Sequence, residues 1–340
     1  MAYSDFTLAK VREMFELVID EKRNLFKKVS PYTMQPKTEQ ILATLQVIIE
    51  PKSGFNLPGH EDGGYISPFV WEASQNGEFN ILNLCCSQGW LKLTDSDATI
   101  KNWHLMEYVN NFNGFSLNST DKTAWSNKIE TLFKILSQSL QELESFNVKA
   151  SSYFPSNDSV GLIVGKTADE NWIAVCPTLY KETNISKKQI SRIEQIQSIN
   201  DNALGENTLN LLSQIQSIIS ELGIIDLEGD FGGGYYYSYA HQIVYGVAET
   251  KEQAIANALQ ASGMLEISKF QSFLPDQQYS DSAVQYSKYD RLNKFLHHTF
   301  TEIMMYRFSF WAQENIYIIG QITGGDWAGL YIESEFVYNP

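Results

Sequence analysis

The chain has 340 residues, which exceeds the usual size of a single domain and predicts two compact domains. Its composition, 43% hydrophobic and 19% charged, excludes a disordered chain. The 25 basic and 40 acidic residues give a formal net charge of -15, which repels phosphate backbones and anionic lipids and argues against direct binding of nucleic acid. Residues 201–340 hold 17 acidic and 6 basic residues, a net charge of -11. This local surplus is compatible with solubility alone or with attraction of a basic partner.

In chain order, the first predicted element is a helical extension over residues 1–34, with apolar residues at helical spacing: Leu8, Val11, Phe15 and Val18. A second helix begins near Thr38, whose hydroxyl is a typical N-cap acceptor. A glycine-rich turn containing Glu61 and Asp62 follows. β-Branched and aromatic residues then predict two strands, over residues 65–71 and 79–84.

The three cysteines, Cys85, Cys86 and Cys176, form neither an even disulfide framework nor a spaced metal quartet. Cys85 and Cys86 follow the apolar run of residues 81–84, so we interpret them as part of a buried strand. The first residues show no signal-peptide pattern, and the chain contains no run of 18 apolar residues. A reducing, cytoplasmic setting is therefore expected.

The remainder of the first half predicts a long helix near residues 124–144 and a hairpin with strands at 160–167 and 172–176. Isoleucines then recur every three residues and predict a helical connector over residues 185–204: Ile190, Ile193, Ile196 and Ile199.

The same order of elements recurs in the second half. A helix is predicted to begin at Thr208. Two strands follow, over residues 235–239 and 242–247, and correspond to the predicted strands at 65–71 and 79–84. A second helix near residues 286–306 then leads to a hairpin at 316–332. Shifts of 155 to 170 residues superpose the two series. A tandem duplication explains this best, with copies over residues 35–184 and 205–340. Each copy is predicted to be an α+β domain, a mostly antiparallel sheet flanked by helices.

The first copy resembles the nuclease A inhibitor-like proteins. The resemblance rests on the acidic turn before Phe69-Val70-Trp71-Glu72, the long second helix, the Gly165-Lys166-Thr167 to Asn171-Trp172 hairpin and the closing residues 180–183. It covers residues 35–184 and, more weakly, 205–340. It implies an α/β/α sandwich that inhibits a sugar-nonspecific DNA/RNA nuclease, with no chemistry and no cofactor of its own.

In this family, carboxylates and a hydroxyl residue near the C-terminus of the domain face the metal and the basic cleft of the nuclease. The resemblance therefore implies two acidic turns, with Glu61 and Asp62 in the first copy and Glu228 and Asp230, with Asp226, in the second. The hydroxyl falls on Thr183, and Tyr338 lies close to the equivalent place in the second copy. Tyr235 begins a tyrosine-rich run of the kind favoured at protein interfaces. These residues form the predicted partner-binding set.

Two other functions stay open. A binding module that kept the fold without the inhibitory contacts would recognise a protein or ligand through its aromatic surface. An enzyme would need a concave pocket that contains Glu61 or His241 among convergent polar groups.

No hydrolase or metalloprotease motif occurs in the sequence. His297 and His298 are interpreted as surface residues, because neighbouring helical positions point about 100° apart and the two side chains do not converge on one metal ion. No metal site is predicted.

Overall fold

The computed structural model describes residues 34–50, 65–105, 119–148, 160–178, 204–230, 236–273, 283–310 and 313–335. In these residues the helices are α1 (Pro36–Ile49), α2 (Ala73–Asn76), α3 (Ile81–Ser87), α4 (Ser96–Leu105), α5 (Ser119–Ser139), α6 (Glu206–Leu222), α7 (Lys251–Ala261) and α8 (Ala283–Thr299). The strands are β1 (Tyr65–Trp71), β2 (Leu91–Thr94), β3 (Gln141–Val148), β4 (Val160–Lys166), β5 (Trp172–Pro177), β6 (Ile225–Asp230), β7 (Tyr236–His241), β8 (Ile243–Ala248), β9 (Leu265–Lys269), β10 (Met304–Phe310), β11 (Gln313–Gln321) and β12 (Trp327–Glu335).

Ten of these strands form two five-stranded antiparallel sheets. The N-sheet has the order β2-β3-β4-β5-β8, and the C-sheet has the order β1-β12-β11-β10-β9. Strands β6 and β7 form a separate two-stranded hairpin. Helices cover the sheets, so the predicted α+β class is confirmed. The predicted helical extension and connector lie outside the described residues, apart from the last residue of each.

Each sheet consists of four strands from one half of the chain and one strand from the other. Strand β1 pairs with β12, with Trp71 opposite Trp327. Strand β8 pairs with β5 in the corresponding place, with Ala248 opposite Trp172. The equivalent of β1 is therefore β8, not the 235–239 segment that the sequence suggested. The identical strand orders agree with a duplication, which itself stays a prediction, and the boundary between the proposed copies does not separate the sheets.

The first helix of each half packs on the same sheet as the exchanged strand of that half. Helix α1 packs against β1, β12 and α8 on the C-sheet, where Leu45 and Ile49 are fully buried. Helix α6 packs against α5 and β8 on the N-sheet, and buries Leu211, Ile215 and Ile218 at helical spacing. The chain thus exchanges one helix and one strand between its two halves in both directions.

Polar contacts fix the starts of both exchanged helices. Thr38 and Thr208 lie in the first turns of α1 and α6, so their predicted N-cap positions are wrong. The Thr38 hydroxyl donates to a carboxylate oxygen of Asp326 at 2.9 Å. The Thr208 hydroxyl lies 3.1 Å from Asn171 Oδ1, and its backbone N–H donates to Asp169 at 2.8 Å. In each case the hairpin turn of the opposite half binds the first turn of the helix, and at α6 it also satisfies a backbone N–H that the helix terminus would otherwise leave unpaired.

Two helices, α3 and α7, lie between the sheets and contact each other. The prediction of a strand at residues 79–84 is wrong, because α3 begins at Ile81. The Asn80 side chain caps it by accepting the backbone N–H of Asn83 at 2.7 Å. Helix α7 packs tightly on β8, where a Cβ atom at Gly246 would lie 2.3 Å from the backbone nitrogen of Ala258. The other predicted helices and hairpins form, but α5 and α8 end at Ser139 and Thr299, before the predicted ends.

Candidate partner-binding surface

The predicted partner-binding set has seven residues, of which the structure describes two. Five residues lie outside the described part of the chain: Glu61, Asp62, Thr183, Tyr235 and Tyr338. Glu228 and Asp230 are described, and both lie in strand β6. The prediction that they form a turn is therefore wrong, although their role in partner binding stays a prediction. The alternation of polar and apolar residues in Ile-Asp-Leu-Glu-Gly-Asp is typical of a strand and explains the difference.

Strand register places three acidic positions on one face of the β6–β7 hairpin. Asp226, Glu228 and Asp230 occupy alternate positions of β6, and successive positions of a strand belong to opposite faces. Ile225 is paired with His241 at the base of the hairpin and belongs to the other face. We call residues 225–230 and 236–241 the acidic hairpin.

His241 anchors the base of the acidic hairpin in the protein core. Its side chain is fully buried, and its ring centroid lies 5.5 Å from that of Trp125 on α5. Burial lowers the pKa of His241 from 6.5 to about 3, although a hydrogen bond with the Thr178 backbone opposes this shift. A histidine that stays neutral and inaccessible is suited to support rather than to catalysis.

Two hydrogen bonds join the same end of the hairpin to the N-sheet. The backbone N–H of Thr178 donates to the Gln242 carbonyl at 2.8 Å, and the Gln242 N–H donates to the Thr178 hydroxyl at 3.0 Å. Both side chains are buried. Because β8 begins at Ile243, directly after this contact, the hairpin is a continuation of the edge of the N-sheet.

The acidic surplus of the second half is concentrated around this hairpin. Residues 201–247 contain six acidic residues and no lysine or arginine, and three of the six lie on β6: Asp226, Glu228 and Asp230. A surface of one charge sign attracts partners of opposite charge and accelerates their association. The charge of this segment makes the acidic hairpin a candidate for contact with a basic partner.

Other candidate sites find little support. Within the described ranges, no group of three or more His, Cys, Asp or Glu residues is arranged to hold a metal ion. His297 and His298 are exposed at the end of α8, as expected. Cys85 and Cys176 are buried, and burial raises the pKa of Cys176 to about 12, which disfavours a reactive thiolate. None of the described helices is long and apolar enough to span a membrane.

Comparison with known proteins identifies one region. The family model of nuclease A inhibitor-like proteins matches residues 248–334. No curated protein and no solved structure matches the chain. The matched segment begins at the last residue of β8 and contains α7, β9, α8, β10, β11 and all but the last residue of β12. It therefore supplies four of the five strands of the C-sheet, while β1 supplies the fifth from outside it.

The match falls in the second half of the chain, where the sequence indicated the weaker resemblance. The expectation that the first half is closer to the family is not supported, and a second family-like copy over residues 35–184 stays a prediction. The acidic hairpin ends at His241, and strand β8 separates it from the matched segment.

Proposed function

We propose that the protein inhibits a sugar-nonspecific DNA/RNA nuclease by binding its basic, metal-containing cleft through the acidic hairpin. The match of residues 248–334 to nuclease A inhibitor-like proteins carries this proposal. The acidic hairpin supports it, because three carboxylate-bearing positions share one face of the hairpin, which β8 joins to that segment. An inhibitor of this kind acts by occupying the cleft and performs no reaction.

Electrostatics favours the proposed encounter. A nuclease that attracts phosphate backbones has a positive cleft, and a protein with a formal charge of -15 is attracted to it. Complementary charge mainly increases the association rate, and screening by salt weakens this effect. Inhibition should therefore be stronger at low ionic strength than at high ionic strength.

The direct test is a titration of a metal-dependent, sugar-nonspecific nuclease with the full-length protein, with degradation of both DNA and RNA as the readout. We expect inhibition of both activities near stoichiometric amounts. The double substitution Glu228→Gln with Asp230→Asn should raise the inhibition constant about tenfold or more, since each interfacial charge contact is worth about 1 kcal/mol or more.

The control replaces Glu39 and Glu206 by Gln, which changes the net charge by the same amount. Both residues are exposed on α1 and α6, away from β6, and neither forms an ion pair in the described structure. The control should keep most of the inhibition. Full nuclease activity at micromolar inhibitor would refute the proposed function and favour the binding-module alternative. Equal losses in the two double variants would show that net charge, and not the acidic hairpin, is responsible.

A further inference from the structure

A cleft of about 920 Å³ opens between α3 and α7 over the inner face of the C-sheet. One wall is the segment that leads into α3, with Glu78, and the other is one face of α7, with Glu252 and Gln253. Tyr306 and Trp327 of the C-sheet form part of its floor. The volume lies in the range of small-molecule sites, about 300–1,000 Å³. The cleft is separate from the acidic hairpin, and His241 does not line it.

The floor of the cleft is aromatic. The ring of Phe79 lies between two others, with its centroid 5.4 Å from that of Tyr306 and 4.8 Å from that of Trp327. Tyr306 is only 9% exposed, and its hydroxyl makes no hydrogen bond with any residue that the structure describes. Because burial raises the pKa of Tyr306 to about 12, this hydroxyl is neutral at physiological pH. The hydroxyl oxygen is not among the buried unsatisfied atoms of the described structure, so it is accessible from the cleft and can bind a ligand.

The charged groups of the cleft are all acidic. Glu78 and Glu252 line it, and no lysine, arginine or histidine is among its described lining residues. Neither carboxylate forms an ion pair within the described ranges. The adjacent Lys251 does not neutralise them, because its ammonium group binds Glu144 at 2.9 Å and lies 5.8 Å from the ring centroid of Trp172 on the N-sheet.

The contact of Lys251 with Trp172 on the N-sheet has no counterpart in the cleft, where no described cation lies beside the corresponding tryptophan. Trp172 and Trp327 occupy corresponding positions, each opposite the terminal residue of the exchanged strand. Beside Trp172 the chain places its own cation, Lys251, together with the carboxylate of Glu144. Beside Trp327 the cleft offers carboxylates and aromatic rings without a described cation.

Two of the four amide side chains that line the cleft, Asn83 and Gln253, offer unused acceptors. The Asn83 amide nitrogen donates to the Glu78 carbonyl at 2.9 Å, and the Gln253 amide nitrogen donates to Asn257 at 2.8 Å. The side-chain carbonyl oxygens of Asn83 and Gln253 receive no hydrogen bond within the described structure. A ligand that donates several N–H groups matches these oxygens and the two carboxylates.

We infer that this cleft binds a small organic cation, an ammonium or guanidinium compound with an apolar body. The cationic groups would donate to Glu78 and Glu252, and the apolar body would lie against Phe79 and Trp327, where aromatic rings also attract cations. The inference is independent of nuclease inhibition.

Isothermal titration calorimetry on the full chain tests this inference, with 1,4-diaminobutane and agmatine as probes and 1,4-butanediol as the neutral control. We expect both cations to bind and the diol to bind at least tenfold more weakly. The double substitution Glu78→Gln with Glu252→Gln should weaken cation binding tenfold or more. The Glu39 and Glu206 control should leave it unchanged. Tyr306→Phe keeps the ring and should weaken binding about fivefold, since one hydrogen bond is worth about 1 kcal/mol.

Three outcomes would overturn the assignment. The first is equal binding of the diol and the diamine, which would show that charge is not recognised. The second is cation binding that the Glu78 and Glu252 substitutions leave unchanged, which would place the bound cation elsewhere. The third is binding of an arginine-rich peptide without binding of either small cation, which would make the cleft a contact for a protein partner. Nuclease inhibition is measured separately with the β6 substitutions, so either proposal can fail alone.

Discussion

Replacement of Thr38 by valine tests the exchange between the two halves of the chain. The hydroxyl of Thr38, on a residue only 1% exposed, donates at 2.9 Å to the carboxylate of Asp326, which is 4% exposed. Valine keeps the shape but leaves a buried carboxylate oxygen without this donor. Asp326 retains its second bond, from the backbone N–H of Ala73 at 2.9 Å. Because a hydrogen bond to a charged group contributes about 1.5–3 kcal/mol, we expect the free energy of unfolding to fall by about that amount.

The control is Thr44→Val in the same helix, where the hydroxyl donates to the Gln40 carbonyl of α1 in an exposed bond. Its cost should stay within about 0.5 kcal/mol. Asp326→Ala completes a double-mutant cycle with Thr38→Val, and the coupling energy should be about 1–3 kcal/mol. Urea unfolding of the full chain at 25 °C, followed by circular dichroism, provides the four free energies.

The reasoning would be refuted by either of two results. One is a loss in Thr38→Val no larger than that in Thr44→Val. The other is a coupling energy within about 0.5 kcal/mol of zero, as found for residues that do not touch. Either result would mean that the Thr38–Asp326 hydrogen bond does not stabilise the docking of α1 on the turn before β12.

Three further predictions concern the core. Gly246→Ala should destabilise the protein by about 1–3 kcal/mol in the same urea assay, because the added methyl group collides with the backbone of α7. The pKa of His241 is about 3 in the folded protein and 6.5 ordinarily, so the unfolded state binds the extra proton below pH 6.5. The wild type should therefore lose about 1.4 kcal/mol of stability per pH unit from pH 6 to 4 relative to His241→Gln, and parallel pH profiles would contradict this. In the folded protein, Ellman's reagent should modify only the exposed Cys86 of the three cysteines, whereas two or three fast-reacting thiols would show that the buried positions are accessible.

Periodicity in the sequence predicted the helices and strands better than it predicted which of them pack or pair together. The spacing of Leu211, Ile215 and Ile218 predicted α6, and it does form a buried face. The run at 81–84 was ambiguous, because a short apolar segment fits either a strand or a buried helix. The deciding signal was local: Asn80 in the N-cap position with Asn83 three residues later.

The pairing of β1 with β12 could not be predicted from the strands themselves. Residues 65–71 alternate in the same way whichever sheet they join, and nothing in this pattern names the partner strand. The repeat did contain one signal of this pairing. Thr38 corresponds to Thr208, and Asn171 corresponds to Asp326, so both partners of the contact occur in each half. Both threonines bond to the hairpin of the opposite half, but a sequence repeat does not reveal whether such bonds lie within a copy or between copies.

The cleft was missed for a similar reason. Its residues come from segments near 78–83, 250–260, 306 and 327, and they meet only because α3 and α7 both lie over the C-sheet. No local motif joins them. The acidic hairpin, in contrast, is contiguous, so composition indicated its charge correctly even though it assigned a turn in place of a strand.

The exchange determines how the two candidate sites are related. The acidic hairpin continues into β8, which belongs to the N-sheet, whereas the segment that matches the inhibitor-like family forms most of the C-sheet. Helix α7 follows β8 directly, packs on it through Gly246, and also contacts β9 of the C-sheet. The same helix lines the cleft with Glu252 and Gln253. The two candidate sites are therefore on different elements, and α7 and β8 connect them through one packed contact.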